Sequence, residues 1–149
     1  MSVLSDEISG DPEGIGYASM SNAAVRDALN AKNYSMETDT TIRGFMMSLT
    51  KLGIVARLKD NAELETNPAV TRSICISAMI LLSNPLDEII TLSSPDMTTL
   101  LGALVQASIV TQAEVDSIKA DTVQPASRVE VLMGFGKIAT LQEVREARA

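Results

Sequence analysis

Pro68-Ala-Val-Thr-Arg-Ser-Ile-Cys-Ile-Ser-Ala-Met-Ile-Leu-Leu82 holds the most apolar run of the chain, and its reading decides the fold. Proline suits the first position of a helix, and Asn84-Pro85 closes the run. Residues 74–82 fall well short of the roughly 20 residues that span a bilayer. The segment therefore reads as a core helix, not a membrane anchor. Because Ile74, Ile76, Ile80, Leu81 and Leu82 lie around the helix rather than along one stripe, the sequence predicts that 68–82 sits at the centre of the fold.

Composition agrees with helix packing. The chain has 149 residues, of which 46% are hydrophobic and only 3% aromatic, with eight methionines. Such a chain can bury one sizeable core, and scarce aromatics disfavour a β-sandwich. The expected fold is all-α: a compact bundle of short helices with repeated helical hairpins around a central apolar helix at about 68–82, preceded by an irregular N-terminal segment. Residues 1–21 are expected to form a helix and turn segment able to dock, and 22–149 a helical domain, the whole being one cooperative body.

Working outward, Ser21 caps a helix through 22–30 whose Ala24, Val25, Ala28 and Leu29 share a stripe. The residues 38–41, Thr-Asp-Thr-Thr, offer caps for a helix carrying Ile42, Phe45, Met46, Leu49 and Leu52, which Gly53 breaks or caps. Residues 54–58 read as a short helix or a turn, and 59–67 as a polar loop. Pro85 starts a short element with Leu86, Ile89, Ile90 and Leu92, and Ser94-Pro95 opens a helix to about 107. The five methionines Met46, Met47, Met79, Met97 and Met133 read as adaptable core filler.

The last third contains a repeat in which Thr140 stands 29 positions after Thr111. In each copy a helix ends, Ile-Val or Ile-Ala turns the chain, and a capping box follows: Thr111 with Glu114, Thr140 with Glu143. Ile109 and Ile138 are predicted to pack back on the new helices through Val115 and Val144, and both hairpins to stack on the central helix.

Charge and residue types narrow the chemistry. The formal net charge is −7 with twelve scattered basic residues, a poor match to a phosphate-neutralising nucleic-acid surface. There is no histidine, and the single Cys75 lies in an apolar run, which leaves no internal disulfide, no Cys-rich metal site and no obvious general base. The helices after Thr111 and Thr140 carry as much acid as base, which disfavours a DNA-reading helix-turn-helix. The chain's first residues lack a signal-peptide pattern, so synthesis in the cytoplasm is expected. Nothing singles out an enzyme, a cofactor or a metal.

The most distinctive stretch is Asp11-Pro-Glu-Gly-Ile-Gly-Tyr-Ala-Ser-Met-Ser21. Pro12 is expected to hold Asp11 extended, and Gly14 and Gly16 to fold the backbone so that Ile15, Tyr17 and Met20 meet one surface. Gly-Ile-Gly lacks the third glycine and lysine of phosphate loops, and Asp11 with Glu13 lacks the further ligands of a metal loop. The candidate interaction and packing residues are Asp11, Pro12, Gly14, Ile15, Gly16, Tyr17 and Met20.

This opening, followed by Ala23-Ala-Val-Arg-Asp-Ala-Leu-Asn30, resembles that of a group of small tailed-bacteriophage proteins with the pattern Asp-Pro-x-Gly-x-Gly-Tyr-x-x-Met-Ser/Thr. Pro125-Ala-Ser-Arg-Val-Glu-Val-Leu-Met-Gly-Phe-Gly136 and Glu143-Val-Arg-Glu-Ala147 resemble their close, while the middle matches only in helical character. Glu13 stands where leucine or alanine is usual, and Val131-Leu-Met where Glu-Leu is. The resemblance implies a non-enzymatic structural protein of the virion, in the tail apparatus, neck or capsid. Such a protein is made in the host cytoplasm and works through contacts with other phage structural proteins and with copies of itself, without nucleic acid or membrane. The alternative in the same setting is a non-virion protein, such as an assembly factor or an inhibitor of a host protein.

Overall fold

The computed structural model describes residues 2–149. It is predominantly helical, with 59% of residues in helix. The expectation of a purely α fold is corrected by four short strands, β1 (Tyr34–Glu37), β2 (Thr40–Thr41), β3 (Ile89–Ile90) and β4 (Val123–Ala126). They form two ladders, β1 with β4 and β2 with β3. Pairs of two to four residues joined across long sequence gaps carry no alternation from which a strand can be read.

The chain divides into two compact units, with boundaries at 36/37 and 123/124. The first unit joins residues 2–36 to Gln124–Ala149, and the second is Glu37–Val123.

The second unit contains α3 (Ile42–Lys51), α4 (Ile54–Glu63), α5 (Ala69–Leu82), α6 (Pro95–Gln106) and α7 (Gln112–Ala120). Its core gathers Phe45, Leu49, Ile54, Leu58, Cys75, Ala78, Leu82, Leu101, Leu104 and Ile118, among others. The void left among these side chains is about 10 Å³, at or below the room one water needs. Burial raises the Cys75 thiol pKa. The N–H groups of Ile42 and Arg43, orphaned at the start of α3, donate to the carbonyls of Glu88 and Leu86 at 2.9 Å, so the 85–90 segment finishes that helix end. Thr38 closes the unit's entry against its exit, its N–H and Oγ1 donating to the Thr122 carbonyl at 3.0 and 2.8 Å.

Several expectations fail here for local reasons. Helix α5 is not surrounded: Cys75, Ala78 and Leu82 are buried, but Val70, Ile76 and Ile80 are exposed. Residues 59–63 are helical, not loop, because left-handed Gly53 (φ 72°) starts α4 and Leu58 anchors it in the core. Of the five methionines only Met97 is buried in the core, Met46 and Met79 pack on its edge, and Met47 and Met133 are exposed.

The first unit comprises α1 (Val3–Gly10), a 3-10 turn (Tyr17–Ser19), α2 (Asn22–Asn30), α8 (Arg128–Met133) and α9 (Leu141–Ala147). Its core is Leu4, Ile8, Tyr17, Val25, Leu29, Val129, Ala139 and Val144. The repeat's two capping boxes are formed, and a third, Ser127 with Glu130, opens α8. The two hairpins, however, belong to different units: α6 packs on α5, while α8 and α9 pack on α1 and α2. Ile109 is buried as expected, but Ile138 is 72% exposed, and the next residue, Ala139, fills the core instead. Asn30 fixes that register, its amide donating to the Ala139 carbonyl at 2.9 Å and accepting the Ala139 N–H at 2.8 Å.

Candidate interaction site

The 11–21 loop is built around the Asp11 carboxylate. Asp11 ends α1 in the left-handed region (φ 40°), not extended as its proline neighbour suggested. Its two oxygens accept the N–H groups of Ile15 and Gly16, each at 2.7 Å. Charge-assisted bonds of this kind outweigh the modest cost of left-handed backbone at an aspartate. Gly14 and Gly16 take φ of 65° and 86°, as the predicted tight turn requires. The two N–H groups that would face a bound phosphate already serve Asp11.

The turn points Tyr17 inward, where it is fully buried, with Ile15 and Met20 partly buried against the same core. The Tyr17 hydroxyl donates to Glu7 Oε1 over a long 3.4 Å. Glu7, itself buried, accepts both arms of Arg128, Nε at 2.8 Å and Nη2 at 2.9 Å. The Arg128 guanidinium also lies 3.5 Å from Glu13 and 5.7 Å from the Tyr34 ring centroid. Burial, then the Glu7 charge, pushes the Tyr17 phenol well above its ordinary range, and the hydrogen bond to Glu7 raises Arg128. The phenol thus stays a donor, and both Glu7 oxygens are engaged. Glu13 is exposed, yet it leans on Arg128.

Arg148, near the other end of the chain, holds the loop's exit. Its Nη1 donates to the Met20 carbonyl at 2.9 Å and to Asn22 Oδ1 at 2.8 Å. In the same unit Glu130 gathers a second cluster: it accepts Ser127 N–H at 2.7 Å and Gly136 N–H at 3.0 Å, and pairs with the Lys32 ammonium. These bonds, the Lys32 contact first, lower its pKa to about 2. Lys32 also sits over the Phe135 ring, 5.6 Å from its centroid.

The predicted residues Asp11, Gly14, Ile15, Gly16, Tyr17 and Met20 thus form one turn packed on the first unit, and Pro12 is exposed at its tip. Sequence reasoning missed Glu7, Arg128, Glu130, Lys32 and Arg148. Only Glu130 left a readable sign, since Ser127-x-x-Glu130 has the spacing already used to find the other two capping boxes. Among the described residues, no three His, Cys, Asp or Glu side chains are placed to hold a metal, and no helix is long and apolar enough to cross a membrane. No family model matches the chain, and no curated protein or solved structure shows a significant match to it.

Proposed function

We propose that the chain is a non-enzymatic structural component of a tailed-phage virion, in the tail apparatus, neck or capsid-associated layer, and that it acts through protein–protein contacts in a symmetric assembly. One observation carries this reading. The two segments that resemble the phage proteins, 11–30 and 125–147, lie at opposite ends of the chain yet fold into one unit, joined by the Asn30–Ala139 hydrogen bonds and by Arg128 beside Glu13. The second unit, where the resemblance fades, is inserted between them.

The chemistry of the cluster favours a scaffold role. A catalytic carboxylate needs a free oxygen and an approach for substrate. Glu7 has neither, being buried and held by Arg128. Mass spectrometry of purified particles tests the proposal. Many copies per virion are expected, whereas abundance in infected cells with absence from particles would replace the virion reading by that of an assembly factor or host-protein inhibitor.

A further inference from the structure

Two exposed segments, one on each unit, share a pattern of apolar residues flanking charge and oppose in the sign of that charge. On the first unit, Gly134-Phe-Gly-Lys-Ile138 presents Phe135, 53% exposed, and Ile138, 72% exposed, on either side of Lys137. From residue 131 to residue 142, Lys137 is the only charged side chain. The loop is held in shape by Gly134 and Gly136 at φ 109° and 86°, by the Gly136 N–H on Glu130, and by Lys32 over the Phe135 ring. It therefore displays its side chains without paying much ordering entropy on contact.

On the second unit, Leu86-Asp-Glu-Ile89 presents Leu86, 41% exposed, and Ile89, 68% exposed, on either side of two acids. This segment is also fixed, by the bonds that complete α3 and by the pairing of Ile89 with Thr41. Neither Asp87 nor Glu88 makes an ion pair among the described residues, and Lys137 makes none within 4.0 Å, its longer-range attraction only adding to the Thr140 hydrogen bonds that lower the Glu143 pKa. Arg43, whose backbone holds Leu86, is not paired with them either. The unit-level balance points the same way: the second unit carries 11 acidic against 6 basic residues, the first 8 against 6.

We propose that the occupant of each segment is the other segment on a second copy of this chain, Phe135 and Ile138 seating against Leu86 and Ile89 while Lys137 meets Asp87 and Glu88. Charges set among exposed apolar residues also suppress aggregation. Here the two sets are opposite in sign, so they exclude like segments and admit unlike ones. The contact is head-to-tail, and a repeated head-to-tail contact closes into a ring or runs on as a filament. Four apolar side chains cover far less than a stable dimer interface, so each contact is weak alone and gains strength by repetition. The inference rests on the assembly reading above and names its surface.

The test is sedimentation velocity on the full-length purified chain, in low salt, over a concentration series reaching the millimolar range. The wild-type mass is expected to rise with concentration and to fall back as salt is added. Lys137→Glu alone and the pair Asp87→Lys, Glu88→Lys alone are each expected to associate at least about tenfold more weakly, which is about 1.4 kcal/mol. An equimolar mixture of the two variants restores complementary charges at every contact and is expected to recover wild-type association, which also shows that both variants are folded. A wild-type chain that stays monomeric throughout, variants that associate as the wild type does, or a mixture that stays monomeric would each overturn the proposal. None of these outcomes alters the count of copies in purified virions, since a virion protein can attach to a different neighbour.

Discussion

Arg128 and Glu7, 121 positions apart in the chain, meet in a two-armed ion pair in which the carboxylate is buried and the guanidinium nearly so. Removing one partner of a buried pair strands the other charge, at a cost of about 3–5 kcal/mol, whereas replacing both with apolar residues of similar size costs much less. Glu7→Leu and Arg128→Met should therefore each lower the denaturant midpoint sharply, and the double variant should recover much of the loss. Urea unfolding of the three variants checks this, and a double variant worse than either single one would show that the pair itself, not the stranded charge, holds the unit.

Tyr17 separates packing from hydrogen bonding. Its hydroxyl contact with Glu7 is long at 3.4 Å, while its ring is fully buried. Tyr17→Phe should cost no more than about 1 kcal/mol, and Tyr17→Ala about 3–5 kcal/mol, the range for deleting a buried aromatic. Thermal melts of the two proteins give the comparison. Equal losses would mean that the hydroxyl, through Glu7 and Arg128, matters more than the ring.

Asp11 tests how the loop is held. Asp11→Ala removes the acceptor of both the Ile15 and Gly16 N–H groups and keeps a Cβ on left-handed backbone, so a loss of about 2–3 kcal/mol is expected. Hydrogen exchange should quicken at those two amides in particular. Unchanged protection there would mean that the glycines and Tyr17 fix the turn without the carboxylate.

Acid should weaken the second unit through Glu114. Its carboxylate accepts the Arg57 guanidinium and the Thr111 N–H, and these partners, Arg57 foremost, lower its pKa from 4.5 to about 2. A folded-state pKa below the unfolded one gives stability that is present above the unfolded value and is lost as pH falls through the folded value. The loss should run from about pH 5 to about pH 2 and amount to about 1–2 kcal/mol, reduced from the full shift because the Arg57 side chain is 37% exposed. Melting temperature followed from neutral to acid pH should fall over that window in the wild type and less in Glu114→Gln.

Local features of the fold were legible in the sequence where one residue type fixes one geometry. Ser21, Thr41, Ser94, Thr111 and Thr140 cap helices as their positions predict, Gly14 and Gly16 take the positive φ of the expected tight turn, and Gly53 separates two helices as expected. What was not legible depends on pairing across the chain. Helix α5 is apolar on all sides, but an apolar run does not say which neighbours exist to cover it, and Ile76 and Ile80 stay uncovered. Ile109 and Ile138 hold equivalent places in the repeat, yet only Ile109 is buried, because Asn30 from α2 grips Ala139 and turns its neighbour outward. The turn at Asp11 to Tyr17 was readable as a turn. Its anchors, Glu7, Arg128 and Arg148, were not, since nothing near them in sequence records a partner more than a hundred residues away.

The insertion of one unit within the other also sets an order in time. A ribosome releases residues 2–36 about ninety residues ahead of the side chains that complete their core, Val129, Ala139 and Val144, which follow the whole second unit. The second unit is contiguous and has all its core residues available earlier. The segment bearing the Asp11 turn therefore waits with its apolar residues uncovered while residues 37–123 are made, and residues 124–149, Arg148 among them, then complete its folded surface.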